Sequence, residues 1–193
     1  MSTLLGEIGD QLAAGQALDD VQTEALASSD NLLTIGMLAD DARRRIQGDS
    51  VSFVRVLEVS LAQKVAPVMV PDTAGEVRIV GAPDSIEVAV TAAQSLTTLV
   101  GPLGPPITGF SLSDLELLAD ADGVSLLGLL SELRSAGLRS IAEAPADRLR
   151  QPEQAFQAVV EANLPVTTVT VHHVAAPDIL ETFRRVSRWK MLK

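Results

Sequence analysis

The chain has 193 residues, no cysteine, 15 basic against 25 acidic side chains for a net charge of −10, and 47% hydrophobic but only 3% aromatic residues. That length holds one domain with an aliphatic core, or one domain plus a helical extension. The missing cysteines exclude disulfides, thiolate metal sites, thiol nucleophiles and cysteine-held iron–sulfur clusters, and the negative field argues against nucleic acid and anionic membranes as partners.

The first residues, "MSTLLGEIGDQLAAG", place Glu7 and Asp10 where a secretory leader needs an apolar core, and no apolar run reaches the roughly 18 residues of a membrane span. A cytoplasmic protein is expected. Residues 3–47 read as helical. Leu4, Leu5, Ile8 and Leu12 recur at helical spacing before Gly15, and Leu18, Val21 and Ala25 share a second face. Asp30 can cap a third segment whose stripe is Leu33, Met37, Leu38 and Ala42, and which Gly48 ends. Arg43, Arg44 and Arg45 suit the negative end of that helix dipole, which is the plainer reading beside a phosphate-binding cluster.

After Gly48 the texture changes to alternating strand and helix. "VSFVRVLEV" is a strand by β-branching and alternation, and "VAPVMV" is a short apolar piece. "EVRIVG" is a strand closed by Gly81. A helix from about Asp84 to Gly101 follows. "PPITGFS" is the next strand. Its neighbouring loop "GPLGPPITG" has prolines where a phosphate cradle needs amides. Ser113 stands three residues before Glu116, a capping-box spacing, and a further helix runs to Gly137. "LRSIAEA", a helix from Pro152, the strand "VTTVTVHH" and a last helix from Pro177 complete the series. The alternation predicts parallel βαβ units. About five strands are too few to close a barrel of eight, so the expected fold is α/β: an incomplete TIM-barrel-like arc of residues 49–193, with helices 1–48 packed on it as part of one domain.

Four stretches carry a resemblance. The first is "DNLLTIGMLADDARRRIQGDSVSF", with Asp30, Leu32, Leu33, Ile35, Gly36, Leu38, Ala39, Asp40, Arg43, Arg44, Gly48, Asp49, Val51 and Phe53 as its matching positions. The others are "VRIVGAPD", "GVSLLGLLSELRSAGLRSIAEAPADRL" and "LPVTTVTVHHV". In order and spacing, over roughly residues 10–188, they resemble a radical-SAM subfamily: aminofutalosine synthase, dehypoxanthine futalosine cyclase and the deazaflavin (FO) synthase subunits. The resemblance implies a β/α barrel in which three cysteines after the first strand hold a [4Fe–4S] cluster that binds S-adenosylmethionine. Here that place is taken by "SLAQKVAPVMVPDTAGE", with no thiolate. Ala82 replaces a glycine that lies close to S-adenosylmethionine in the family. Glu143, Ala144 and Pro145 replace a glycine run, and Asp147 aligns with a family glutamate. His173 aligns with a family histidine, while His172 and Ala175 replace its glycine and glutamate. The chain ends at Lys193, before the remaining units of a full barrel. The resemblance therefore implies a retained scaffold with no cluster, no expected cofactor, and S-adenosylmethionine binding in doubt.

The candidate ligand-binding residues are His173, His172, Asp147, Glu143, Gly81 and Asp84, all at C-terminal ends of strands, where β/α folds carry their sites. Only one of the two adjacent histidines can point inward, and His173 is the one the resemblance favours. Each candidate also has a plainer reading. The histidines can be hydrogen-bonded strand-end residues; Asp147, Glu143 and Asp84 can be helix caps or solvated loop charges. Ser111, Ser113 and Asp114 follow the third strand, but no G-x-S-x-G elbow supports a Ser–His–Asp set. Trp189 sits in a basic tail, where it can anchor a partner or pack a helix end. The function expected is that of a non-catalytic radical-SAM-like protein in menaquinone (futalosine) or deazaflavin metabolism. It would bind a small metabolite or a cysteine-bearing family enzyme, and form a homodimer across the open arc. A repurposed cluster-free enzyme with a site near His173 and Asp147, and a purely structural interaction module, are the alternatives.

Overall fold

The computed structural model describes residues 2–62, 69–172, 181–182, 184 and 186. Residues 65–68 of "VAPVMV" (65–70), His173, Ala175, Trp189 and all but residues 181–182, 184 and 186 of the helix expected from Pro177 fall outside the described residues. The chain divides into two compact units, residues 1–53 and 54–193.

The first unit holds helices α1 (Ser2–Ala13), α2 (Asp20–Ala27) and α3 (Leu32–Gln47). Local chemistry sets their ends. Asp19 accepts a hydrogen bond from the Gln22 amide at 2.8 Å while Gln22 Oε1 accepts from the Asp19 amide at 3.0 Å, a complete capping box. The cap of α3 is Asn31, which accepts from the Thr34 amide at 3.2 Å; the expected Asp30 lies one residue too early to reach it. Ile8 and Leu5 are buried, and Gly9 lets Leu38 approach α1 closely. The stripe expected on α3 divides: Leu38 and Ala42 are half-buried, whereas Leu33 and Met37 are exposed. Arg43 and Arg44 both clasp Asp40, one and the other within a helical turn, so they are the solvated pairs of a helix surface.

The second unit is one open sheet of five parallel strands in the spatial order β1-β2-β3-β4-β5. The strands are β1 (Val56–Ser60), β2 (Glu76–Val80), β3 (Ile107–Ser111), β4 (Leu138–Pro145) and β5 (Val166–Thr170). Helix α4 (Ile86–Val100) joins β2 to β3, α5 (Leu112–Asp122) and α6 (Leu126–Ser135) join β3 to β4, and α7 (Pro152–Glu161) joins β4 to β5. This is the α/β arc expected of a partial β/α barrel. The first strand is shorter than its sequence suggests. Its ladder starts where Val56 meets Glu76, the first residue of β2; ahead of it the Arg55 carbonyl accepts from the Gly75 amide at 2.9 Å and the Glu76 amide at 3.3 Å.

Helix and strand share one apolar layer. Ala89, Val90, Ala93 and Leu96 on α4, Leu129, Leu130 and Leu133 on α6, and Ala155, Phe156 and Val159 on α7 are buried at helical spacing. They meet Val77, Ile79, Ile107 and Ile141 of the sheet. Each buried valine, leucine, isoleucine or phenylalanine among them contributes about 1.5–3 kcal/mol by leaving water. Close approach at the foot of β4 depends on Gly137: its φ is +104°, and a Cβ there would strike the Thr97 hydroxyl, which is itself bonded to the Ala136 carbonyl at 3.0 Å.

Alternation puts the other residues of the strands on the opposite face. Glu58, Arg78, Thr108 and Ser140 are successive ladder partners and form a polar row across four strands. Glu76 is buried beside them. Its Oε1 accepts from Arg78 Nη2 at 2.7 Å, Arg78 Nε at 2.8 Å and Thr108 Oγ1 at 2.7 Å. Barrel interiors are usually filled by aliphatic layers. This one carries charge and hydroxyls instead.

Glu116 corrects a second expectation. Ser113 and Glu116 do not form a capping box; α5 starts at Leu112 behind Ser111, two residues earlier than a cap at Ser113 would set it. Glu116 is buried and accepts from two backbone amides, Arg150 at 2.8 Å and Gln151 at 3.0 Å. It thereby ties the loop before α7 to α5. A charged acceptor on two otherwise orphaned amides is worth about 1.5–3 kcal/mol per bond. Glu116→Ala should lower the unfolding free energy by about 3 kcal/mol in urea titration, and Glu116→Gln, which keeps one acceptor oxygen, should lose less.

Candidate functional site

A cleft of about 490 Å³ lies at the C-terminal half of the sheet. β1 and β2 contribute Glu58 and Arg78 to it, with Gly81 just after β2; β3 and α5 contribute Ser111 and Asp114, and β4 and β5 contribute Glu143, Thr168 and Thr170. A second cleft, of about 460 Å³, lies at the other end, among the proline loop 101–106, Gly137 and Arg139. Parallel β/α sheets present their functional groups at the C-terminal ends, where loops diverge and helix N-termini point inward.

The first cleft is shaped by an abrupt turn. β3 passes into α5 without a loop: Ser111 ends the strand and Leu112 opens the helix. Phe110 takes φ +63°, a left-handed conformation that costs a non-glycine residue energy and persists only where packing enforces it; Phe110 is 3% exposed. The turn sets the first residues of α5 over the strand ends, which brings Asp114 into the cleft. Ser111 makes no side-chain cap; its hydroxyl lies 2.9 Å from that of Ser113.

Glu143 is the most connected group of the cleft wall. Its Oε1 lies 2.6 Å from His172 Nε2 and accepts from Thr170 Oγ1 at 2.8 Å. Thr170 Oγ1 is in turn 3.1 Å from His172 Nε2, and the His172 amide donates to Asp147 Oδ1 at 3.1 Å. β4, the turn after it and the end of β5 are thus tied through polar atoms. The hydrogen bond from His172 holds the Glu143 carboxyl below its ordinary range, with help from Thr170 and against partial burial. Asp114 is pushed the other way: burial raises its pKa, the Glu143 charge adds to the rise, and Arg148 opposes it.

Of the six candidates, Gly81 and Glu143 line the cleft, and His172 and Asp147 bind its wall. The plain reading of Asp147 as a helix cap does not hold, because α7 starts at Pro152 behind Gln151. Asp84 is exposed and is no part of the cleft wall; the cap of α4 is Ser85, which accepts from the Val88 amide at 3.2 Å. Ala82, where the resembling family has glycine, also lines the cleft. Sequence reasoning passed over Glu58, Arg78, Thr168 and Thr170 as site residues. The signal was present in the alternation of "EVRIV" and "VTTVT", which assigns whole rows of side chains to one face. Among the described residues no three His, Asp or Glu side chains gather as a metal site, and no helix is long and apolar enough to cross a membrane. No protein-family profile matches this chain, and no curated protein matches it in sequence.

The opposed shifts give a titration prediction. In carboxyl-detected NMR, Glu143 should titrate below, and Asp114 above, the ordinary carboxylate range. Glu143→Gln should bring Asp114 back toward that range by removing a like charge. A glutamate whose folded pKa is depressed stabilises the fold above its unfolded pKa, and that share is lost as pH falls through the folded value. Glu143→Gln should therefore flatten part of the acid limb of a stability–pH curve below about pH 4.5, the unfolded glutamate range.

Proposed function

We propose that this protein is a non-catalytic, cytoplasmic, radical-SAM-like protein that binds a small metabolite at the C-terminal ends of its strands. The observation that carries the reading is the polar cleft there, with Arg78, Asp114, Glu143 and Thr170 converging from four elements of an incomplete barrel. Ligand sites are concave and contain a few convergent polar groups, and a groove that merely stabilised the fold would be filled with aliphatic side chains. The resemblance of residues 30–53, 77–84, 123–149 and 164–174 to aminofutalosine and deazaflavin enzymes supports a metabolite of the menaquinone (futalosine) or deazaflavin routes. The absence of cysteine supports a binding role rather than the radical chemistry of that family. The open arc also supports association with a second copy, or with a cysteine-bearing enzyme of the family.

A second reading, a cluster-free enzyme, is favoured by one observation. Asp114 and Glu143 face one cleft with their pKa values displaced in opposite directions, and such pairs commonly divide the roles of acid and base. A binding protein and an enzyme part company in turnover: the former returns its ligand unchanged.

Thermal denaturation in the presence of futalosine-route intermediates, deazaflavin precursors and S-adenosylmethionine tests the first reading. A ligand at a hundredfold excess over its Kd stabilises the folded state by about 2.7 kcal/mol. One metabolite should raise Tm, Asp114→Asn should reduce the rise, and mass spectrometry should recover the metabolite unchanged. No rise with any of them would contradict the pathway assignment.

A further inference from the structure

The cleft's polar balance is uneven. Three carboxylates, those of Glu58, Asp114 and Glu143, line it with one guanidinium, Arg78, and that guanidinium is already held by Glu76 through Nε and Nη2. An anionic ligand therefore meets net repulsion. The two carboxylates on the α5 side are in different states. Glu143 has its Oε1 engaged by His172 and Thr170. Asp114, half-buried in the same wall, receives no hydrogen bond from any described residue, although Arg148 lies close enough to attract it. A partly desolvated carboxyl without a donor is costly, and the cost grows beside a second negative group. The hydroxyls of Ser111, Thr168 and Thr170 surround the pair and add acceptor oxygens.

We infer that the cleft takes a small organic cation, an amine or guanidinium compound, whose charged nitrogen donates to Asp114 and lies against Glu143. This rests on the reading of the cleft as a metabolite site and adds the chemistry of what enters it. The nitrogen supplies the donor that no described residue gives Asp114 and offsets the repulsion between the two carboxylates. Charge-assisted bonds of this kind are the stronger ones available at a partly buried site.

Amide-resolved NMR of the full chain tests it with four probes added separately: agmatine, D-ribose, inorganic phosphate and magnesium ion. Agmatine should give saturable shifts confined to Ser111, Asp114, Glu143 and Thr170. Asp114→Asn should weaken it at least tenfold while leaving the rest of the amide spectrum, and hence the fold, unchanged. Agmatine shifts spread evenly over the acidic surface, or shifts untouched by Asp114→Asn, would mean unspecific attraction to a chain of net charge −10 and would overturn the inference. Saturable cleft shifts with ribose, phosphate or magnesium in place of agmatine would overturn the cation while sustaining a binding cleft. No cleft shift with any probe overturns the inference; if the pathway metabolites leave Tm unmoved as well, the binding reading falls with it.

Discussion

A carboxylate buried in a sheet must be neutralised, and the polar half of this protein depends on how Glu76 meets that demand. Its Oε1 takes three hydrogen bonds, two from Arg78 and one from Thr108. Removing either partner would leave a buried charge underpaired, which costs several kcal/mol, so the three residues hold one another in place. The consequence is architectural. With a guanidinium fixed in the middle of β2, the face opposite the helices is polar, and Glu58, Thr108 and Ser140 continue that character along one row. The aliphatic stock of the sequence is concentrated instead in the layer between helices and sheet.

The second constraint is the join of β3 to α5. A strand that enters a helix without a loop must reverse direction within a residue, and Phe110 does this at positive φ under the cover of its own burial. The strain at Phe110 is offset by packing. It places Asp114 over the strand ends, within electrostatic reach of Glu143. On the far side of the cleft, His172 and Thr170 converge on Glu143, so that β4 and β5 are joined by polar side chains as well as by the ladder. Fixed carboxyls in distinct electrostatic states, facing a concave surface, are what binding and proton transfer both require.

Much of this arrangement was legible in the sequence. The apolar spacing of α4, α6 and α7 and the β-branched strands reveal an alternating α/β chain, and all five described strands pair in parallel as that pattern demands. What escaped was non-local. Glu116 has the spacing of a capping box, yet its carboxylate is claimed by amides of Arg150 and Gln151, more than thirty residues away. Nothing in "ITGFSLSD" distinguishes Phe110 as left-handed, because the conformation is imposed by packing around it. The caps at Asn31 and Ser85 each stand one residue from the aspartate chosen by sequence, since a cap is decided by reach to an amide rather than by residue type alone. Asp147 and Glu143 were legible as strand-end acids; their common link to His172 was not.

The central claim is that the cleft at the C-terminal strand ends is an occupied site in the cell. Because the chain has no cysteine, a single introduced thiol reports on one place only. The most direct measurement is the labelling rate of Thr168→Cys by a maleimide, with and without the small-metabolite fraction of a lysate. Thr98→Cys in the cleft at the opposite end serves as control. Selective slowing at position 168 is the predicted result. Equal labelling at both positions, with and without metabolites, would contradict the account.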